Sequence, residues 1–332
     1  MLYPLKFRPI FKERVWGGRN LERLYQKKLP EKILVGESWE VTDRPEGISE
    51  IENGPLAGKT LRWLMENHRE ALLGPAKEST ERFPLLIKIL DAQETLSLQV
   101  HPPVKVAAQL GGEAKTEMWY IADATPDADL YVGLKKGVTR QSFEGAIAAG
   151  TVADCVHRIP VKAGDVMFLP SGRLHAIGAG NVIFEIQQNS DTTYRVFDWN
   201  RMGIDGKPRD LHLSQSLASI NFDDFEPRLI GSKYSRNPVM KVRYLVDNDL
   251  FRVDATIVKR GQRFYLRSPC VQILGLLRGE LKVSYQDETV DVKAGEFVTL
   301  PACLEKTILV AQTQTEFLHI QPACDPMPEL ER

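Results

Sequence analysis

Short apolar runs separated by turn-forming residues dominate the chain, and most of them keep a two-residue period. LLIKIL at 85–90, TLSLQVH at 95–101, EMWYIAD at 117–123, DLYVGL at 129–134, NVIFEIQ at 181–187, TYRVFDW at 193–199, FRVDATIV at 251–258, VQILGLL at 271–277 and ELKVSY at 280–285 are bounded by Gly, Pro, Asn and Asp. Such segments predict strands. Their close spacing, without long helices between them, favours a sandwich or barrel over a doubly wound sheet. Helical periodicity is sparse. Leu61, Leu64, Met65, His68 and Leu72 recur after a capping Thr60 and before Gly74, which predicts a helix over 60–73. Shorter helical pieces are expected at 104–110, 141–149 and 211–220.

An internal repeat bears on the architecture. VKAGDVMFLP at 161–170 returns as VKAGEFVTLP at 292–301, an offset of 131 residues. A glycine turn followed by an apolar strand ending in proline is a hairpin element of jelly-roll barrels. Two copies imply two related β-barrels, the first over 1–228 and the second over 229–332, joined through the 222–238 stretch. The first copy runs on to His175, whereas the second has Lys306 at the corresponding place. The N-terminal barrel is therefore expected to be active, and the C-terminal one to be a degenerate partner without metal.

Composition narrows the picture further. The 332 residues include 43 basic and 44 acidic side chains, so the formal net charge is −1 and no basic face for nucleic acid or anionic lipid is expected. The strongest apolar run, 83–90, is too short to span a bilayer and contains Lys88. The N-terminus lacks the apolar region and cleavage site of a signal peptide, which leads us to expect a cytoplasmic protein. Cys155, Cys270, Cys303 and Cys324 have no CxxC spacing, and they read as small apolar residues with no disulfide framework. A metal would need His, Glu, Asp or Gln.

Candidate chemistry lies in three segments. In TLSLQVH, Thr95, Ser97, Gln99 and His101 share one face of a strand, as expected if a polar row lines a cavity. In KTEMWYI, Lys115, Glu117 and Trp119 share a face. His101, Glu117 and His175 together form the two-histidine, one-carboxylate set of an open zinc site, with Gln99 close enough to add an oxygen. Glu185 is a candidate general base, and Arg195 a candidate for binding phosphate or stabilising negative charge. A structural Glu185–Arg195 ion pair is the competing expectation. His68, His157, His212 and His319 read as structural, and Trp16, Trp39, Trp63 and Trp199 as core or cavity wall. No GxGxxG or Walker-type loop occurs, which argues against nucleotide dependence.

With these segments in view, the sequence resembles the type I mannose-6-phosphate isomerases, or phosphomannose isomerases, in their short bacterial form within the cupin superfamily. The resemblance rests on WGG at 16–18, GESWEV at 36–41, LLIKILDAQETLSLQVHPP at 85–103, KTEMWYI, LPSGRLHAIGAG at 169–180 and IQQNSDTTYRVFDW at 186–199. It implies a mainly β fold of two cupin barrels with a few helical insertions. It implies one zinc ion per chain on His101, Glu117 and His175, with Gln99 adjacent. Lys115 would contact substrate, Arg195 would be the active-site arginine and Glu185 a carboxylate for proton transfer. Ser97 and Gln99 would line the substrate site. The long helical domain of larger family members is reduced here, so contacts from it do not carry over.

The implied reaction interconverts mannose 6-phosphate and fructose 6-phosphate through an enediol. The expected partner is a sugar phosphate, with no nucleic acid or membrane, and the expected assembly is a monomer or homodimer. A cupin-type iron dioxygenase and a non-catalytic sugar-binding cupin are the competing readings.

Overall fold

In the computed structural model, the structure describes residues 1–75, 81–267 and 269–324. Strands dominate, as the two-residue period predicts, and four sheets are stacked in layers beside a two-stranded ribbon of Asp43–Arg44 and Gly47–Ile48. The first sheet has the strand order Ile10–Gly18, Val35–Val41, Leu85–Ala92, Asn181–Gln188, Glu117–Ala124, Val166–Leu169. The second has the order Tyr194–Phe197, Leu98–Val100, His175–Ile177, Asp129–Leu134, Val156–Pro160. A third sheet (Met240–Asp247, Phe251–Val258, Thr315–Pro322, Gln272–Arg278, Phe297–Leu300) and a fourth (Arg263–Leu266, Thr307–Ala311, Glu280–Tyr285, Glu288–Lys293) use the rest.

Alternation of side chains across each strand builds the layers. Ile87, Ile89, Met118, Phe184 and Ile186 pack against Val253, Ala255, Leu318 and Ile320, which joins the first sheet to the third. On its other face the first sheet contributes Leu90, Trp119, Ile121 and Ile183 to a core shared with Leu130, Val132 and Ile177 of the second. Leu274, Leu276, Val298 and Phe317 meet Leu281, Val283, Val292 and Leu309 between the third and fourth. Strands buried on both faces explain the nearly unbroken apolar run at 85–92, all of which is buried.

Helices form where expected, with differences at their ends. Thr60 caps Leu61–Asn67 by accepting from the Trp63 amide at 3.1 Å. The predicted 60–73 helix is broken at His68, whose φ of −140° leaves the helical region, and resumes as Arg69–Leu73. Thr139 caps Arg140–Ala149, and Leu213–Ser219 lies within the predicted range. The helix Asn20–Tyr25 was not predicted, because only its buried Leu21 makes an apolar contact of its first turn. Among the described residues, no helix is long and apolar enough to cross a membrane.

The cysteine expectation needs correction. The spacing of the four cysteines predicts small apolar residues without a disulfide framework, but Cys270 and Cys324 pair as a disulfide across 54 residues, with their Cα atoms 6.4 Å apart. Both are buried, so the apolar reading of their environment holds while the pairing was not legible. Cys155 and Cys303 are free, and Cys303 is exposed.

The two copies of the repeat occupy equivalent places. Gly164 and Gly295 both take positive φ, 91° and 79°, ahead of the strands Val166–Leu169 and Phe297–Leu300. Leu169 then pairs with Glu117, and Leu300, 131 residues later, pairs with Gln272. One strand further on, Glu185 sits opposite Lys88, while its counterpart His319 sits opposite Asp254.

Candidate metal centre and active-site cavity

The strand period puts three charged side chains of the first sheet on its inner face. Glu117, Lys88 and Glu185 come from three neighbouring strands whose alternate residues, Met118, Ile87, Ile89, Phe184 and Ile186, belong to the core on the other side. From the second sheet, His101 follows the short strand Leu98–Val100 and His175 opens the strand His175–Ile177. The predicted strand at 95–101 is thus shorter than its pattern, yet Gln99 still pairs with both His175 and Arg195. The ligand set therefore bridges the gap between two sheets.

His101, Glu117 and His175 place their ligand atoms within 4.8 Å of one another. Each histidine Nε2 lies 3.5 Å from a different Glu117 oxygen. His101 Nδ1 is 2.7 Å from the Thr192 carbonyl, and His175 Nδ1 is 2.9 Å from the Arg173 carbonyl. A carbonyl only accepts, so Nδ1 carries the proton in both rings and each Nε2 presents a lone pair to the centre. Both Glu117 oxygens and His101 Nε2 are buried without a hydrogen-bond partner. Lys115 Nζ approaches Glu117 Oε2 to 2.8 Å as an ion pair but off the hydrogen-bonding direction. Buried acceptors left open in this way fit a divalent cation.

The electrostatics agree. Burial first, then the neighbouring His101, pushes His175 down to about 3. Burial and Lys115 lower His101. Burial alone would raise Glu117, but Lys115 and the two histidines hold it well below the carboxylate range. Two neutral imidazoles and one carboxylate are the ligand forms zinc requires. Gln99 turns Nε2 toward His175 Nε2 at 3.4 Å and its oxygen toward the Ser97 hydroxyl at 3.3 Å. An amide flip exchanges the two and brings the oxygen to the metal side.

A cavity of about 560 Å³ opens above this centre, a size typical of small-molecule sites. Ser97, Gln99, Lys115, Glu185 and Arg195 all line it, so the predicted substrate and catalytic candidates are brought together. His101, Glu117 and His175 lie beneath its wall and are almost wholly buried. The Glu185–Arg195 ion pair does not form. Glu185 instead accepts from the Trp119 indole N–H at 2.9 Å and lies 3.6 Å from Lys88 Nζ and 3.9 Å from Lys115 Nζ. Burial, followed by the charge of Glu117, raises its carboxyl despite both lysines.

Sequence reasoning passed over several wall residues. Lys88 lies 3.7 Å from Glu37 and 3.4 Å from Asp191 and sits over Trp39 at 5.1 Å. Its signal was present as a lone lysine inside an otherwise apolar strand. Glu37 accepts from Arg14 and from the Trp39 indole, and both Glu37 and Arg14 line the cavity. His212, expected to be structural, accepts from the Arg195 backbone amide at 3.2 Å and does not line the cavity. His319 is bonded to Gln272 at 2.8 Å, and Trp16 lies in the cavity wall.

Comparisons with known proteins agree with this geometry. Residues 4–135 match the family model for the type I phosphomannose isomerase catalytic domain. The chain is 34% identical to the mannose-6-phosphate isomerase of Streptococcus mutans over 308 residues, 91% of this chain and 93% of that one. It is 41% identical to a mannose-6-phosphate isomerase of Bacillus subtilis over 227 residues, 68% of this chain and 70% of that one. The crystal structure of the mannose 6-phosphate isomerase from Bacillus subtilis is similar with a TM-score of 0.87 at 30% identity, covering 96% of this chain and 99% of that chain.

Proposed function

This chain belongs to the type I mannose-6-phosphate isomerase family, and on that premise we propose that it interconverts mannose 6-phosphate and fructose 6-phosphate through an enediol. The observation that carries the reading is the His101–Glu117–His175 cluster beneath a cavity walled by Gln99, Lys115, Glu185 and Arg195. A zinc ion held by His101, Glu117 and His175, with the Gln99 oxygen beside it, would supply a Lewis acid for negative charge developing on a sugar oxygen.

The chain's own residues then divide the remaining work. Glu185 Oε1 takes the proton from C2 and returns it to C1, while the O2 hydroxyl proton passes to O1, so that the C1 carbonyl becomes a hydroxyl and C2 becomes the carbonyl. Burial and the charge of Glu117 raise its carboxyl above the usual carboxylate range, which makes it a stronger base than a free glutamate. Trp119 fixes the other oxygen, so the carboxylate is aimed rather than free to rotate. Lys115, between Glu117 and Glu185, contacts the substrate oxygens and keeps the two carboxylates from repelling one another. Arg195, the strand partner of Gln99, adds positive charge beside the enediolate. Ser97 orients Gln99 and completes the wall.

The two pairs of sheets are read as two cupin barrels, divided near 228/229. Two changes support a second barrel without metal: Gln272 at the counterpart of Glu117, and Lys306 at that of His175. Lys306 is exposed, with its ammonium 3.9 Å from the Tyr265 ring.

Turnover of mannose 6-phosphate should disappear on chelation and return with zinc. Iron restoring activity where zinc does not would favour the oxygenase reading. Folded, zinc-loaded protein that binds the sugar phosphate without turnover would reduce the chain to a binding cupin.

A further inference from the structure

The cavity has a second charged wall that the proton chemistry does not use. After the strand Tyr194–Phe197 the chain folds back around one buried carboxylate, Asp198. Arg209 donates to it twice, Nε to Oδ2 at 2.7 Å and Nη2 to Oδ1 at 2.6 Å. Arg201 adds Nε and Nη2 to Oδ1 at 3.1 and 2.9 Å. The same segment is tied to the entry of the Ser97–Gln99 strand. Arg201 donates to the Thr95 carbonyl at 2.6 Å, and the Trp199 indole donates to that of Leu96 at 2.7 Å. Trp199 holds a φ of 56°, a left-handed conformation a bulky residue rarely adopts unless its surroundings impose it.

This clamp decides where Arg209 points. Two of its nitrogens are committed to Asp198, and among the described residues Nη1 has no partner, while the residue itself lines the cavity with Asp205 and Ile204. Arg195 shares that wall and stands next to Gln99 in the sheet. Burial lowers the Arg195 pKa, and the charge of Arg209 lowers it further, outweighing the pull of Asp198. Arg195 and Arg209 thus place two guanidinium groups on this wall, beside the Asp205 carboxylate. Arg14 also lines the cavity, with Nε donating to Glu37 at 2.9 Å and Nη1 to the Glu13 carbonyl at 3.1 Å.

We infer that Arg209, aimed by Asp198, anchors a phosphate monoester at the cavity mouth, and that Asp198 is its positioning residue. A planar guanidinium fixed along one edge offers the other edge to phosphate oxygens at little further entropic cost. Partial burial strengthens the contact over one in bulk water. The sugar's reacting carbons would then lie toward the metal ligands, with Arg195 between. The inference rests on the isomerase reading for the identity of the sugar but not for the phosphate.

Two measurements on zinc-loaded protein test it. Inorganic phosphate binding by calorimetry should weaken about 10- to 100-fold in Arg209→Met, as expected on losing a charge-assisted contact. Asp198→Asn should weaken it less, with partial recovery in Asp198→Glu. In steady-state kinetics the KM for mannose 6-phosphate should rise in Arg209→Met by a larger factor than kcat falls. Wild-type protein that binds no phosphate, or Arg209→Met that binds it as tightly as wild type with zinc retained, overturns the inference. Phosphate binding lost in Arg209→Met, in a protein that never turns over the sugar, upholds this site while rejecting the isomerase reading. Arg209 is partly exposed, so its variant is expected to fold even if Asp198→Asn does not.

Discussion

Lys88 and Glu185 face each other from adjacent antiparallel strands, as direct register partners with Nζ 3.6 Å from Oε1, and both are buried. The same ammonium lies within 3.7 Å of Glu37 and 3.4 Å of Asp191, so one lysine holds three carboxylates together. Burial opposes its charge, but Glu37, Asp191 and Glu185 raise its pKa overall.

Removing that lysine should destabilise the protein in a pH-dependent way. Burial alone would raise Glu37, but Lys88 and Arg14 bring it down to about 2. A carboxylate with a depressed folded pKa adds stability that is complete above its unfolded value of about 4.4 and lost as pH falls toward 2. Lys88→Met should therefore cost about 3 kcal/mol at pH 7, the order expected when one partner of a buried pair is deleted. The cost should shrink below pH 4. Urea unfolding at both pH values reads the difference, and equal stability at pH 7 would reject the account.

Glu117→Gln should cost the protein its metal. The amide supplies one neutral oxygen where the carboxylate supplied charge, and the other copy of the repeat carries glutamine at the equivalent register position, Gln272. Elemental analysis should find about one zinc per wild-type chain and a small fraction of that in the variant. A variant with full zinc occupancy would remove Glu117 from the ligand set.

Asp254 offers a test in the third sheet, away from the His101–Glu117–His175 cluster. Burial pushes its carboxyl up to about 6, despite Arg252 at 3.5 Å, and both its oxygens lack hydrogen-bond partners. A group with a raised folded pKa binds its proton more tightly in the fold, so ionisation costs stability as pH rises from about 3.9 through 6. Asp254→Asn should stabilise the protein by about 1–3 kcal/mol at pH 8 and by nothing near pH 4. Melting curves at the two pH values decide it. An equal gain at both would place the effect elsewhere than in ionisation.

Gly17 should be intolerant of a side chain. A Cβ there would lie 2.5 Å from the Gly36 amide nitrogen and 2.6 Å from the Val35 carbonyl carbon, where neither backbone atom yields easily. Gly17→Ala should cost about 1–3 kcal/mol through overpacking. It should also disturb Trp16 and Arg14, which line the cavity. Chemical denaturation together with KM measures both, and a neutral result would show that the two strands can part cheaply.

Much of the site was legible because its signals are local. Gln99 and His101 lie two residues apart on one strand face, and Lys115 and Glu117 repeat that spacing. The segments around them resemble a family whose ligand set can be read in order along the chain. The WGG and GESWEV segments were part of that resemblance too, but Gly17 and Gly36 acquire meaning only where their backbones touch. Glu185 was legible as a candidate base, whereas its neighbours were not. An ion pair with Arg195 is the competing expectation for it, and the lysines from two other strands stand there instead.

The sequence by itself determined the mainly β character, the turn–strand repeat and the identity of His101, Glu117 and His175, since periodicity and motifs are properties of neighbouring residues. Tertiary structure decided which residues from distant segments share a wall. Register does this, because shifting a strand by one residue turns every side chain to the opposite face. Lys88 faces Glu185 rather than the apolar core through such a choice, and Asp254 faces His319 through the corresponding one in the other half. The Cys270–Cys324 pairing and the fold-back that brings Arg209 onto Asp198 are likewise contacts between elements, and no local pattern in the chain encodes the distance between them.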